Sequence, residues 1–150
     1  MVKPVYVLNG PNLNMLGLRE PQIYGSETLD DVRRKVEDHA RALGLTVSFR
    51  QTNSEGELVT WIQEARTSAS GIILNAGAYT PTSIALLDAL TAAEVPVVEV
   101  HLSNIFRREP FRHHSYVSPA GIGGLCGFGP TGYLLALDGR HARLSAAAKS

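Results

Sequence analysis

At 150 residues, 44% hydrophobic and 19% charged, the chain has the size and composition of one soluble domain with a sizeable core. Its formal net charge of zero leaves no basic footprint for nucleic acid or for an anionic membrane surface, and no stretch nears the ~18 apolar residues of a membrane span. The single cysteine, Cys126, cannot close an internal disulfide and suits a reducing cytoplasm, and the Met-Val-Lys-Pro start lacks the build of a signal peptide.

Strand and helix patterns then alternate along the chain. Val5–Leu8 is a short apolar run that reads as a buried first strand, ending in the polar segment Asn9-Gly-Pro-Asn-Leu-Asn14. Leu29, Val32, Val36, Ala40 and Leu43 recur at helical spacing, with Thr28 and Asp31 at capping-box distance and Gly44 placed to end the helix. Leu45, Val47 and Phe49 alternate with polar residues as a strand does. Ser54 and Glu57 suggest a second capping box, opening a helix with Leu58, Ile62 and Ala65 inward. Gly71–Leu74 reads as a buried strand, Thr82–Ala93 as an apolar helix behind Pro81, and Val97–Val100 as a fourth strand. Ile122–Cys126 reads as the last strand and Tyr133–Leu137 as the start of the final helix, with the Ala/Lys/Ser-rich tail His141–Ser150 expected to fray.

Five strands alternating with helices imply an α/β three-layer sandwich around a parallel sheet. Right-handed crossovers and this length favour the flavodoxin-like order 2-1-3-4-5. Ligands in such sheets bind beyond the carboxyl ends of the strands, so the exits carry the functional signal. Those exits hold Asn9 and Asn12 after the first strand, Asn75 after the third, and His101 and Ser103 after the fourth. That set suits a small, oxygen-rich ligand.

Other motifs yield to blander readings. Gly127-Phe-Gly129-Pro-Thr-Gly132 matches a dinucleotide fingerprint, but it follows the last strand and leaves no room for a further βα unit, so tight helix–sheet packing is the preferred reading. A phosphoacceptor site would need carboxylates where Asn9 and Asn75 stand. His113 and His114 have no cysteine or carboxylate at ligand spacing, so no zinc site is expected and no metal or other cofactor is assigned. No G-x-S-x-G elbow supplies a hydrolase nucleophile. A flavin-binding module is the remaining, remoter cofactor reading, against which a colourless protein would argue.

Glu99-Val-His101 is more pointed, because residues two apart on a strand share a face. The carboxylate can orient the imidazole, which suits a general acid near neutral pH. Tyr24 lies in the glycine-bounded segment Gly17–Gly25 with Arg19. An unassisted tyrosine carries only roughly one part in a thousand anion at pH 7, and a nearby guanidinium favours that anion. Tyrosinate base and histidine acid would form a pair for abstracting a proton and eliminating water.

These residues, together with Gln51-Thr-Asn-Ser-Glu-Gly56, Asn75-Ala-Gly-Ala-Tyr-Thr80 and Arg107–Ser115, make the chain resemble type II 3-dehydroquinate dehydratase from the first strand through the final helix. The resemblance implies one dehydroquinase-like domain over residues 1–150. It implies a cofactor-free anti elimination of water from 3-dehydroquinate to 3-dehydroshikimate through an enolate. It further implies Tyr24 as the base with Arg19 beside it, His101 as the acid oriented by Glu99, and Asn12 holding a water that steadies the enolate oxygen. Leu102 and Ser103 would grip the substrate carboxylate through backbone N–H groups, and Asn75 and Arg112 would hold ring hydroxyls. The family's assembly is a dodecamer of trimers, in which Asp88 reaches a neighbour's site. Such an enzyme serves aromatic biosynthesis or quinate breakdown. One position departs: the family pattern His-Thr-Ser after Ala-Tyr-Thr reads Pro81-Thr-Ser here, removing a side-chain contact to a substrate hydroxyl. The competing expectation is a binding module that kept the pocket and lost turnover at Pro81.

Overall fold

The computed structural model describes residues 2–18, 22 and 26–148. Five parallel strands form one sheet: β1 (Val5–Asn9), β2 (Val47–Gln51), β3 (Gly71–Asn75), β4 (Val97–His101) and β5 (Gly123–Cys126). Their order is β2-β1-β3-β4-β5, as the alternating pattern predicts. The helices are α1 (Leu29–Ala42), α2 (Glu55–Ser68), α3 (Ile84–Ala93) and α4 (Thr131–Ala148).

Strand alternation sorts the core into two layers. Tyr6, Leu8, Ile72, Leu74 and Val97 face one way and pack on Leu58, Ile62 and Ala65 of α2 and Leu86, Leu90 and Ala93 of α3. Val5, Val7, Ile73, Val98 and Val100 face the other way, onto Val32, Val36 and Ala40 of α1 and Tyr133, Ala136 and Leu137 of α4. The three inner strands are therefore covered on both faces, which is why they read as apolar runs and not as alternating ones.

Several helix ends follow the expected chemistry. At α1 the Thr28 hydroxyl accepts from Asp31 N–H while the Asp31 carboxylate accepts from Thr28 N–H, both at 3.1 Å. At α2 the Ser54 hydroxyl accepts from Glu57 N–H at 3.1 Å, which is the serine half of the expected box. Several boundaries differ from expectation: β2 begins at Val47 and not at Leu45, other strand ends differ by one residue, and two helices differ more instructively. Helix α3 begins at Ile84 because Ser83, two residues beyond Pro81, is the cap and accepts from Leu86 N–H at 3.0 Å. Pro81 thus lies in the preceding turn and not in the helix's first turn. Helix α4 begins at Thr131 and continues through the stretch expected to fray, to Ala148; three consecutive alanines, good helix formers, close it. The last glycine of the Gly127–Gly132 stretch, in the first turn of α4, does serve packing. A Cβ on Gly132 would stand 3.0 Å from the Leu125 Cδ1 and 3.4 Å from the Val100 Cγ1, so glycine there lets α4 lie against β4 and β5 without pressing on those side chains.

Candidate active site

The register of the sheet brings the polar exits together. Asn9 pairs with Gln51 on one side and Asn75 on the other, and Leu74 pairs with Glu99. The exits of β1 and β3 run so close that a Cβ on Gly10 would lie 2.4 Å from the Ala76 carbonyl oxygen, while Gly10 N–H bonds the Asn75 carbonyl at 2.8 Å. Any side chain at position 10 would force the two exits apart.

Beyond β1, Asn12 takes a left-handed conformation with φ of 68°, which asparagine tolerates better than most residues. Its N–H bonds Asn53 Oδ1 at 3.0 Å, and Gln51 Nε2 donates to the Gly10 carbonyl at 3.1 Å. The loop after β2 therefore braces the loop after β1.

A cleft of about 140 Å³ opens over these exits. Asn12, Asn75, Pro81, His101, Leu102, Ser103 and Arg112 all line it, together with Arg108. Asp88 lies exposed on α3, outside the cleft of its own chain. Arg19 and Tyr24 lie outside the described residues.

The pair on β4 forms as the strand periodicity requires. His101 Nε2 donates to Glu99 Oε2 at 2.7 Å, with the two side chains 10% and 7% exposed. Nδ1 is then the ring nitrogen left for other partners. Burial pushes the Glu99 carboxyl up, but the bonds from His101, Ser115 and Ser118 outweigh it and hold the group below the ordinary carboxylate range. Glu99 is accordingly a buried anion with its charge met by donors.

Two asparagines prove to have different positions from each other. Asn9 is fully buried and points away from the cleft, its Oδ1 accepting from Tyr133 Oη at 2.5 Å and its Nδ2 donating to the Arg50 carbonyl at 3.0 Å. It fastens the fold, where its place at the exit had suggested a ligand contact. Asn75 Nδ2 donates to Tyr133 Oη at 3.0 Å and its Oδ1 accepts from Gly77 N–H at 3.2 Å. That leaves one N–H and one lone pair on Asn75 for a ligand. Burial drives the Tyr133 hydroxyl far above its ordinary value despite the bond from Asn75, so it stays a neutral donor and not a base.

Sequence reasoning gave no role to Ser115, Ser118 or Tyr133. Ser115 and Ser118 meet Glu99 across 16 and 19 residues of irregular chain, and Tyr133 meets Asn9 across 124, so no local spacing announces them. His113 packs against Phe106 and His114 against Tyr116. Among the described residues no cluster of side chains could hold a metal ion.

A doubly covered parallel sheet with a polar cleft at its carboxyl exits, and in the cleft wall a histidine backed by a buried carboxylate, defines a flavodoxin-like α/β protein with an enzyme-like site. The chain belongs to the dehydroquinase class II family, whose model matches residues 3–141. It is 56% identical to the 3-dehydroquinate dehydratase 2 of Pseudomonas aeruginosa over 99% of this chain and 100% of that one. It is 54% identical to the 3-dehydroquinate dehydratase of Dinoroseobacter shibae over 95% of each. The crystal structure of the type II dehydroquinase from Propionibacterium acnes superposes with a TM-score of 0.90 at 46% identity, covering 95% of this chain and 98% of that one.

Proposed function

We propose that this protein is a lyase that removes water from 3-dehydroquinate to give 3-dehydroshikimate. The observation that carries this reading is His101, held by the buried Glu99 at 2.7 Å, in the wall of a cleft also lined by Asn12, Asn75, Ser103 and Arg112, in a chain of the dehydroquinase class II family.

In this reading Tyr24, aided by Arg19, takes the C2 proton, and the bonding pair left behind forms an enolate with the C3 carbonyl. A water held by Asn12 steadies the enolate oxygen. Collapse of the enolate breaks the C1–oxygen bond, and His101, oriented by Glu99, protonates the departing hydroxyl so that it leaves as water. Leu102 and Ser103 follow β4 directly, which suits them to the substrate carboxylate. Asn75 has one N–H and one lone pair left, and with Arg112 it takes ring hydroxyls. The chemistry asks for no cofactor, since the carbonyl of the substrate itself holds the developing charge.

The same reading includes a homo-oligomer, a dodecamer built of trimers, in which Asp88 of one subunit completes a neighbour's cleft. Its exposure on α3 outside its own cleft supports that placement. A cytoplasmic setting suits the free thiol of Cys126, and no helix among the described residues is long and apolar enough to cross a membrane. Mixing the purified protein with 3-dehydroquinate is expected to raise the absorbance of the conjugated enone. An unchanged absorbance at high protein concentration would overturn the assignment.

A further inference from the structure

The Glu99 carboxylate is enclosed by a loop that reaches it from well along the chain. Ser115 Oγ donates to Oε2 at 2.6 Å, Ser118 Oγ donates to Oε1, and His101 Nε2 shares Oε2 at 2.7 Å. The Ser115 hydroxyl also accepts from Val117 N–H at 3.1 Å and from Ser118 N–H at 3.0 Å. A hydroxyl has two lone pairs and one proton. With both lone pairs taken by backbone N–H groups, the Ser115 proton is committed to the carboxylate and cannot turn round to accept from a protonated Glu99. The loop therefore distinguishes the ionised acid from the neutral one.

Packing reinforces this. The Ser118–Ala120 turn rests on α3, and Val117 is fully buried in the core layer that Glu99 faces. On the strand side, Gly124 pairs with Glu99, and a Cβ there would stand 3.3 Å from the Glu99 Cβ and 3.6 Å from Oε1. Glycine leaves room for the carboxylate on one flank while the serines hold it on the other.

We infer that Ser115 and Ser118 are positioning residues for the elimination, holding Glu99 ionised and in the orientation that presents His101 to the cleft. The inference rests on the reading of His101 as the proton donor. Loss of a seryl donor lets Glu99 take a proton more readily. A protonated Glu99 offers its O–H to Nε2, leaving the imidazole neutral and unable to supply a proton at the necessary rate.

Rates for Ser115→Ala, Ser118→Ala, Ser118→Thr and His101→Ala, measured across pH with 3-dehydroquinate, test it. Each serine-to-alanine change is expected to lower kcat about ten-fold with KM nearly unchanged, on the scale of a hydrogen bond to a charged group. Each is expected to move the acidic limb of the kcat profile up by about one pH unit, and Ser118→Thr, which keeps the hydroxyl, to restore both. A wild-type acidic limb in Ser118→Ala, or a loss carried wholly by KM or by thermal stability, would overturn the inference. If Ser115→Ala fails to fold, Ser118→Ala decides, because the Ser118 hydroxyl meets Glu99 without bracing the loop backbone as Ser115 does. Wild-type turnover by His101→Ala would sink the reading of the site itself. An inactive His101→Ala beside unaffected serine variants would sink only the role of the serines.

Discussion

A proline occupies position 81 in the wall of the cleft, where the resemblance leads one to expect a histidine. Its ring offers no side-chain donor and its nitrogen no hydrogen, so a substrate hydroxyl facing it loses a partner. A neutral hydrogen bond contributes about 0.5–1.5 kcal/mol, so Pro81→His is expected to raise kcat/KM for 3-dehydroquinate roughly two- to ten-fold. An unchanged value would show that position 81 does not touch the substrate. Glu99 makes a second prediction at this scale. Its folded carboxyl lies below its ordinary value of 4.5, so the stability it supplies is complete above that value and is lost as pH falls through the folded one. Glu99→Gln should therefore lose less stability than wild type on acidification below the ordinary carboxyl value of 4.5, as followed by urea unfolding at each pH. The pair itself was legible because strand geometry puts Glu99 and His101 on one face. The serines that complete it were not, because a loop and not a periodicity carries them there.

Among the elements, α4 does more than cover the sheet. Tyr133 Oη links Asn9 at the end of β1 to Asn75 at the end of β3, so one helix fixes the spacing of two exits. Removing that hydroxyl leaves a buried asparagine oxygen without its donor, and Tyr133→Phe should cost about 1–3 kcal/mol in chemical unfolding. No change in the unfolding midpoint would mean that the strand ends hold their places without it. The sequence pattern reads Tyr133 correctly as an inward residue of the last helix, but periodicity cannot distinguish a ring that merely packs from one whose oxygen ties two strands. The same limit explains the start of α3. Pro81 marks a turn, while the cap falls to Ser83, whose hydroxyl decides where the backbone N–H groups first need partners. Strand order was open to reading, since alternation and crossover handedness leave few arrangements for five parallel strands.

For the molecule as a whole, the site draws on loops after β1, β3 and β4, and in the proposed assembly on Asp88 of a second chain. Light scattering should report a particle of twelve chains. Asp88→Ala should lower activity while leaving the isolated fold intact by circular dichroism; full activity in a monomeric wild-type protein would remove any need for a neighbour. The central claim is that a base and an acid on separate segments divide the elimination between them. It is tested most directly by single-turnover formation of the enone with Tyr24→Phe and His101→Ala, each checked for wild-type circular dichroism. Both folded variants are predicted to lose turnover by several orders of magnitude, and wild-type rates in either one would contradict the assignment.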